Sequence, residues 1–469
     1  MASKDSKGHY APGTYDFKKV FLRDHDVDIR FKVLEINIFE SIFQACMTAD
    51  ITIIDADNMV SNLPIAEGNV VDIHLSFNSD DKIQQNIDGE DIKCVMEVIK
   101  ITSRVKTPNQ DVQIYNLRLA SIGWSNNVRT RISRAYKNKS YSSIVEEIFN
   151  DKFRLEWFYG LYGESSEFED EDIKSIDVEK THGEYSIIIP RWKPIQCFNW
   201  LAGRSQSGDN KDAVNYVFYE DKKQFNFKSI SSLISQETTE TYYVKLMNID
   251  KIDERNYQNI HDYTYEDTGD VILNASSGTF GSRLIVHNMI TKEIDDHFPQ
   301  GTWSLSYNIH GYPANQDEFG VIGADPFSYK TEFGKTEHTD SVPLIPDSIS
   351  ETLSYQPGNT RLITRSIHRY QYDGLKTDHP EEWMRQRIMQ KPQAKYLRLT
   401  IQTIGNFRRK AGETINVQLP SPEKKSENKM DKRLKGKYLV TSVRRMFKPT
   451  KHEVIMECIK DSWAGKGGA

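Results

Sequence analysis

The sequence predicts a mainly β protein whose two β-rich ends enclose an α+β middle. Three observations carry this reading. Val71, Ile73, Leu75 and Phe77 alternate with Asp72, His74 and Ser76, the period of two that buries one face of a strand. Near the C-terminus the same alternation sets Val454, Met456 and Cys458 on one face. Between the ends the period lengthens, and Ile144, Val145, Ile148 and Phe149 share one side of a helix.

The first β-rich part spans residues 10–123. Further strands are expected at 29–39, 47–54, 92–105 and 113–120, the last with Tyr115, Leu117 and Leu119 on one side. Turn residues separate them at 55–58, 67–69, 78–81 and 107–109. Five strands on short turns, with no crossover helix, predict a small barrel or sandwich. Residues 124–240 form the α+β part. A helix over 140–149 starts either at Ser140 or at a capping box of Ser143 and Glu146. Pro194 suits the first position of a second helix carrying Ile195, Phe198, Leu201 and Ala202. A hairpin over 215–219 and 224–228 follows, with Phe225 and Phe227 on one face and a polar turn at 220–223.

Residues 241–310 read as a β-rich segment leading into the second β-domain, with strands at 244–252, 282–291 and 302–309. Five prolines between 311 and 360 (Pro313, Pro326, Pro343, Pro346 and Pro357) mark a long loop or insertion. The second β-domain is placed at 361–462, with a helix at 381–390 and strands at 395–404, 414–419, 438–447 and 452–459. The last two strands form a hairpin, and alternation makes Cys458 a packing residue and not a reactive one.

Composition narrows the function classes. The 469 residues are 38% hydrophobic and 27% charged, the balance of a folded chain. A formal charge of −6 gives no bulk attraction to nucleic acid. The polar N-terminus has no secretory h-region, and the apolar runs at 70–77 and 186–190 fall short of the ~20 residues that span a bilayer. Cys46, Cys94, Cys197 and Cys458 are scattered, with no CxxC pair and no His at ligand spacing, so reduced, buried thiols and no metal are expected.

No phosphate-binding loop, dinucleotide fingerprint, GxSxG elbow or HExxH helix occurs. Glu293, Asp295, Asp296 and His297 form the densest acid–His cluster; a solvated strand end before Pro299 is favoured over a metal or general-base site. A glycosidase-type carboxylate pair is defined by separation in space, which the 67 Asp and Glu leave open. No catalytic, cofactor-binding or metal-binding residue is assigned.

Two charge blocks stand out. Residues 164–184 carry nine carboxylates against Lys174 and Lys180, and residues 385–451 carry nineteen Lys or Arg against four Asp or Glu. The basic block reads as a solvated loop over 422–437, as a docking face for an acidic protein, or as a phosphate-binding surface; overall acidity discounts the last. For the docking reading, Lys437, Arg444 and Arg445 are the candidate contacts with an acidic partner.

Three stretches carry a resemblance. The basic run from Trp124 to Ser140 leads into the 144–149 helix; Val214 to Tyr219 is followed by Phe225, Phe227, Ser229 and Ile230; Gly412 to Pro420 and Gly436 to Val443 flank a charged loop. Together they resemble the central baseplate hub proteins of contractile-tailed phages, which are related to the hubs of contractile injection systems. The resemblance covers residues 15–235 and 395–460.

It implies two similar, tail-tube-like antiparallel barrels flanking the α+β part, in a homotrimer whose six barrels form a pseudo-sixfold ring. It also implies a place in the virion baseplate, with assembly in the host cytoplasm and no membrane insertion. Its expected partners are the central spike protein, the tail tube protein or its initiator and the surrounding wedge proteins, with phage DNA only as cargo through the channel. Related secretion-system hubs carry a fused spike; here the chain ends ten residues after Ile459, so the spike is expected to be a separate protein. The family has no catalytic residues to transfer. A tail-associated cell-wall hydrolase and a receptor-binding tail module are the alternatives.

Overall fold

In the computed structural model, one largely antiparallel sheet runs through both ends of the chain. The structure describes residues 13, 15–62, 65–77, 91–106, 112–153, 174–209, 213–244, 257–267, 282–288, 294–297, 359–365, 383, 387, 397–421, 430–431, 434–449 and 451–460. The N-terminal part supplies β1 (Tyr15–Leu22), β2 (Val27–Asp28), β3 (Val33–Ser41), β4 (Thr48–Asp55), β5 (Val70–Phe77), β6 (Ile92–Lys106) and β7 (Gln113–Ser121). The middle holds β8 (Ile132–Lys139), β9 (Ile176–Val178), β10 (Tyr185–Trp192), β11 (Tyr216–Glu220) and β12 (Phe225–Ser229). The rest gives β13 (Thr241–Tyr243), β14 (Ile260–Asp267), β15 (Ser282–Asn288), β16 (Ile294–His297), β17 (Asn359–Arg365), β18 (Leu397–Ile404), β19 (Thr414–Gln418), β20 (Gly436–Lys448) and β21 (Lys451–Lys460).

Alternation fills three cores. Val20, Ile36, Ile51, Ile73 and Leu117 pack in the first barrel, and Leu399, Ile415, Leu439 and Met456 in the second. Ile144, Phe198, Phe218 and Phe227 pack in the α+β part. All four cysteines are free and buried.

Five strands at each end follow one plan. In chain order β3, β4, β5, β6 and β7 assemble as β5-β6-β7-β4-β3; β14, β18, β19, β20 and β21 assemble as β19-β20-β21-β18-β14. Every step in both ladders is antiparallel. The chain is therefore mainly β with two similar barrels around an α+β part. The flanking strands differ, since β1 joins β5 antiparallel and β13 joins β19 parallel.

The second barrel starts earlier than the sequence suggests. β13 and β14 belong to it, with Tyr242 and Ile260 in its core, whereas β17 lies in a separate three-stranded sheet with β15 and β16. The barrel is thus assembled from 241–267 and 397–460, not from 361 onward. The reason is that β14 pairs with β18 across residues 268–396, and alternation along a strand does not identify its partner. The expected strand at 302–309, the loop at 311–360 up to residue 358 and most of the 381–390 helix lie outside the described residues, as does 245–252; residues 359–360 of the expected loop open β17.

Ser140, not the Ser143 box, caps the helix Tyr141–Ile148: its Oγ accepts from the Ser143 N–H at 3.2 Å. The helix Pro194–Ala202 has proline in its first turn, as expected. A helix at Ile122–Arg129 was not expected, because its buried side include Asn126 and Asn127 and hides the apolar period. Asn126 donates to the Phe153 carbonyl at 3.1 Å, and Asn127 accepts from the Ile195 N–H at 2.9 Å.

His452, near the start of β21, stacks on Phe447 with ring centroids 4.1 Å apart and meets Phe407 edge-on at 4.9 Å. Gly405 allows this, since a Cβ there would come within 2.1 Å of the imidazole. Burial, and then the Arg445 cation, hold the His452 pKa well below the ordinary histidine value. The unfolded chain takes a proton near pH ~6.5 while the folded chain stays neutral. The corresponding stability is complete above that pH and is lost as the pH falls towards the depressed folded value. Melting temperature should therefore drop between pH 7 and 5.5 more steeply in the native chain than in His452→Phe, whatever the absolute stability of the variant.

Candidate assembly interface

Eight consecutive strands of the large sheet, β14-β18-β21-β20-β3-β4-β7-β6, span both barrels. One face of this stretch covers the two cores. Its other face is largely polar, as the cross-strand rows show. Lys100 lies opposite Arg118, then Asp50, then Asn37; Arg444 lies opposite Ile455, then Gln402, then Asp262. Glu35, Thr52, Thr264, Glu266, Arg398, Thr400 and Glu457 share this side. Charges of both signs lie on it, and Arg398 reaches Glu266 at 3.4 Å.

The seam between the barrels is β20 against β3, from Ser442 opposite Ser41 to Phe447 opposite Ile36. Behind it, on the core side, Arg445 pairs with Glu40 at 2.6 Å with neither side chain exposed. Arg445 Nη2 also donates to the Arg409 carbonyl, and the Ala411 N–H donates to Glu40 at 3.3 Å. Arg409 is equally buried, 3.2 Å from Glu413 and 3.4 Å from Glu240, and it donates to Thr239 Oγ1 at 2.8 Å. Burial raises the Glu413 carboxyl, although Arg409 opposes it.

The turn after β11 ties the α+β part to both barrels. Glu220 accepts from the Met47 N–H and Lys174 Nζ, each at 2.8 Å, and from Ser121 Oγ at 2.5 Å. Asp221 holds Lys410 at 3.3 Å, and Lys222 Nζ donates to the Phe407 carbonyl at 2.6 Å. Burial pushes the Asp221 carboxyl up, but Lys410 and the Gln224 and Lys223 N–H groups outweigh it, leaving the pKa below its ordinary value.

A cavity of about 540 Å³ opens beside this turn, lined among others by Asp91, Lys93, Cys94, Phe153, Lys174 and Glu220. Its two carboxylates already have partners, Glu220 in the bonds above and Asp91 with His74 Nε2 at 2.8 Å. Burial raises the Cys94 thiol to about 11, so it stays protonated at neutral pH. Among the described residues no three His, Cys, Asp or Glu side chains are placed to hold a metal ion.

The three sequence-predicted contact residues do not form one surface. Arg445 is consumed by Glu40, and Lys437 is only 3% exposed. Arg444 is exposed on the polar face, donating to Asn37 Oδ1 at 3.0 Å and lying over the Phe39 ring. Adjacent strand residues point to opposite faces, so Arg444 and Arg445 cannot share a docking surface; Val443, Arg445 and Phe447 make one inward set. That alternation is the signal that locates Arg445. Glu40, Glu220 and Asp221 were missed because their partners are distant in sequence.

No protein-family model matches the sequence, and no curated protein matches it. Among solved structures, the tail protein from Neisseria meningitidis MC58 aligns over 97% of this chain and 98% of its own, with a TM-score of 0.52 at 8% identity. The 43 kDa tail protein of prophage MuSo2 from Shewanella oneidensis aligns over 96% and 99%, with a TM-score of 0.47 at 8% identity. An Escherichia coli component of the type VI secretion system aligns over 96% and 77%, with a TM-score of 0.40 at 9% identity. The first likeness establishes a shared fold.

Removing one partner of the Glu40–Arg445 pair leaves an uncompensated buried charge, which costs about 3–5 kcal/mol, whereas an apolar replacement of both is close to neutral. Arg445→Met alone should lower the urea midpoint sharply, and Glu40→Leu with Arg445→Met should recover most of the loss. A double-mutant cycle by chemical denaturation checks this.

Proposed function

We propose that this chain is a structural hub subunit of a phage contractile-tail baseplate, three copies of which close a ring around an open channel. The observation that carries the reading is the eight-stranded stretch running unbroken through two similar barrels. Three copies present six barrels, the number a sixfold tail tube needs, while keeping threefold symmetry for a central spike. The shared fold with a tail protein supports the reading at the level of fold.

The polar face of the stretch lines the channel. Carboxylates stand beside cations on it, as Glu266 does beside Arg398 and Asp50 opposite Arg118. Such a wall offers passing DNA no continuous basic stripe to release counterions onto, so the polyanion slides as cargo. The ring joins the spike to the tail tube or its initiator, with wedge proteins outside, in the virion. In this reading the chain is not an enzyme, and a peptidoglycan cleavage assay should give no turnover; turnover abolished by changing one carboxylate would overturn that.

The ring itself is tested by mass. At micromolar concentration and moderate salt the particle should weigh three times the 54.3 kDa chain, and electron micrographs should show an annulus. A stable monomer or a twofold dimer throughout that range overturns the hub reading.

A further inference from the structure

The two ends of the eight-stranded stretch are unlike each other in charge and alike in form. β6 is 15 residues long, and β5 covers only its first part, from Ile92 to Glu97. Beyond Val98, no strand of the described residues pairs with its outer side. At the other end, β14 pairs with β18, and no described strand lies along its far side. The β6 overhang carries Lys100, Arg104 and Lys106; β14 carries Asp262, Glu266 and Asp267. Val105 is 62% exposed and Tyr265 58%.

The chain contains a template for what these edges do. In the matching ladders β6 corresponds to β20 and β3 to β14. β20 is covered by β19 only to Leu439, shifts register between Val440 and Ser442, and then pairs with β3 of the other barrel. β6 is covered by β5 only to Glu97 and shifts register between Val98 and Lys100. Its overhang is the one that lacks the strand corresponding to β3. Tracing the rows fixes the correspondence: Val98-Leu119-Ala49-Ile38 in the first barrel matches Val440-Cys458-Leu399-Tyr265 in the second. Ile38 thus matches Tyr265, and Glu40 matches Asp267. Arg445 lies opposite Val454, which matches Tyr115; the β6 residues between the partners of Asn116 and Ile114 are Ser103 and Arg104.

We propose that the β6 overhang of one copy pairs antiparallel with β14 of a second copy, repeating between subunits the β20–β3 seam within the chain. This rests on the ring reading above and names its junction. Directions agree, because eight strictly alternating strands leave β6 and β14 oppositely oriented. The template register sets Thr102 opposite Glu266 and places Arg104 at the position that Arg445 holds in the internal seam, with Asp267 at that of Glu40. Charged edge strands usually keep copies apart. Edges of one sign would do so here, but opposite signs attract and select the head-to-tail pairing, which closes a ring instead of a twofold dimer.

Two edge variants test the junction, Lys100→Glu with Arg104→Glu on β6, and Glu266→Lys with Asp267→Lys on β14. Each set should raise the concentration for half-assembly by at least about tenfold, since like charges then become diagonal neighbours across the paired strands. The four changes together should restore the trimer, with circular dichroism confirming that every variant is folded. Independently, Thr102→Cys with Glu266→Cys should give, on oxidation, covalent oligomers that end at the trimer. If the native chain is a trimer but the charge variants assemble unchanged and the cysteines do not link copies, the junction is wrong and the ring reading survives. A native chain that stays monomeric overturns both.

Discussion

β20 is shared property, and the arrangement of the whole chain follows from that. Its first half closes the second barrel against β19 and its last half closes the first against β3, so neither barrel can shift without breaking hydrogen bonds of the other. The Glu40–Arg445 pair sits where the two cores meet along this strand. An ion pair in such a place contributes little net stability, since desolvation offsets its attraction. Its role is geometric: a buried charge tolerates one register of β20 on β3, because a slip would strand Arg445 among aliphatic side chains.

The α+β part uses the same logic at a second point. A single turn delivers Glu220 to the first barrel and Asp221 and Lys222 to the second. Two barrels joined along one strand pair would still flex about it, and a third body bonded to both removes that hinge. The cavity beside the turn lies between the first barrel and the α+β part, and Glu220 and Lys222 of its lining are already engaged in joining the bodies.

How much of this could be read from the sequence depends on the range of each interaction. Strands β5, β7, β18 and β21 were legible, because period-two alternation is a property of a few neighbouring residues. So was the Pro194 helix start. The kinship of the two ends entered through resemblance, and its physical basis became visible only in the ladder order. β14 and the seam were not legible, since β14 finds its partner β18 across residues 268–396 and Glu40–Arg445 joins residues 405 apart. The basic C-terminal block misled for a related reason. Counting charges treats Arg444 and Arg445 alike, whereas the pleat sends one to the polar face and the other into the core. The candidate site was therefore only partly in view: of the three named residues Arg444 alone is exposed, and nothing in a local pattern marks β6 and β14 as the edges of the sheet.

The long separation of β20 from β3 along the chain also bears on how the protein is made. β3 leaves the ribosome first, and the strand that covers it follows about four hundred residues later, roughly 20–80 s at ~5–20 residues per second. Throughout that time the first barrel stands with a bare, apolar-backed edge, and β14 waits likewise for β18. Completion of the C-terminal hairpin then seals both barrels in one event. Translation thus imposes a delay during which partly made chains are prone to stick to one another, and the finished hairpin acts as the latch that ends it.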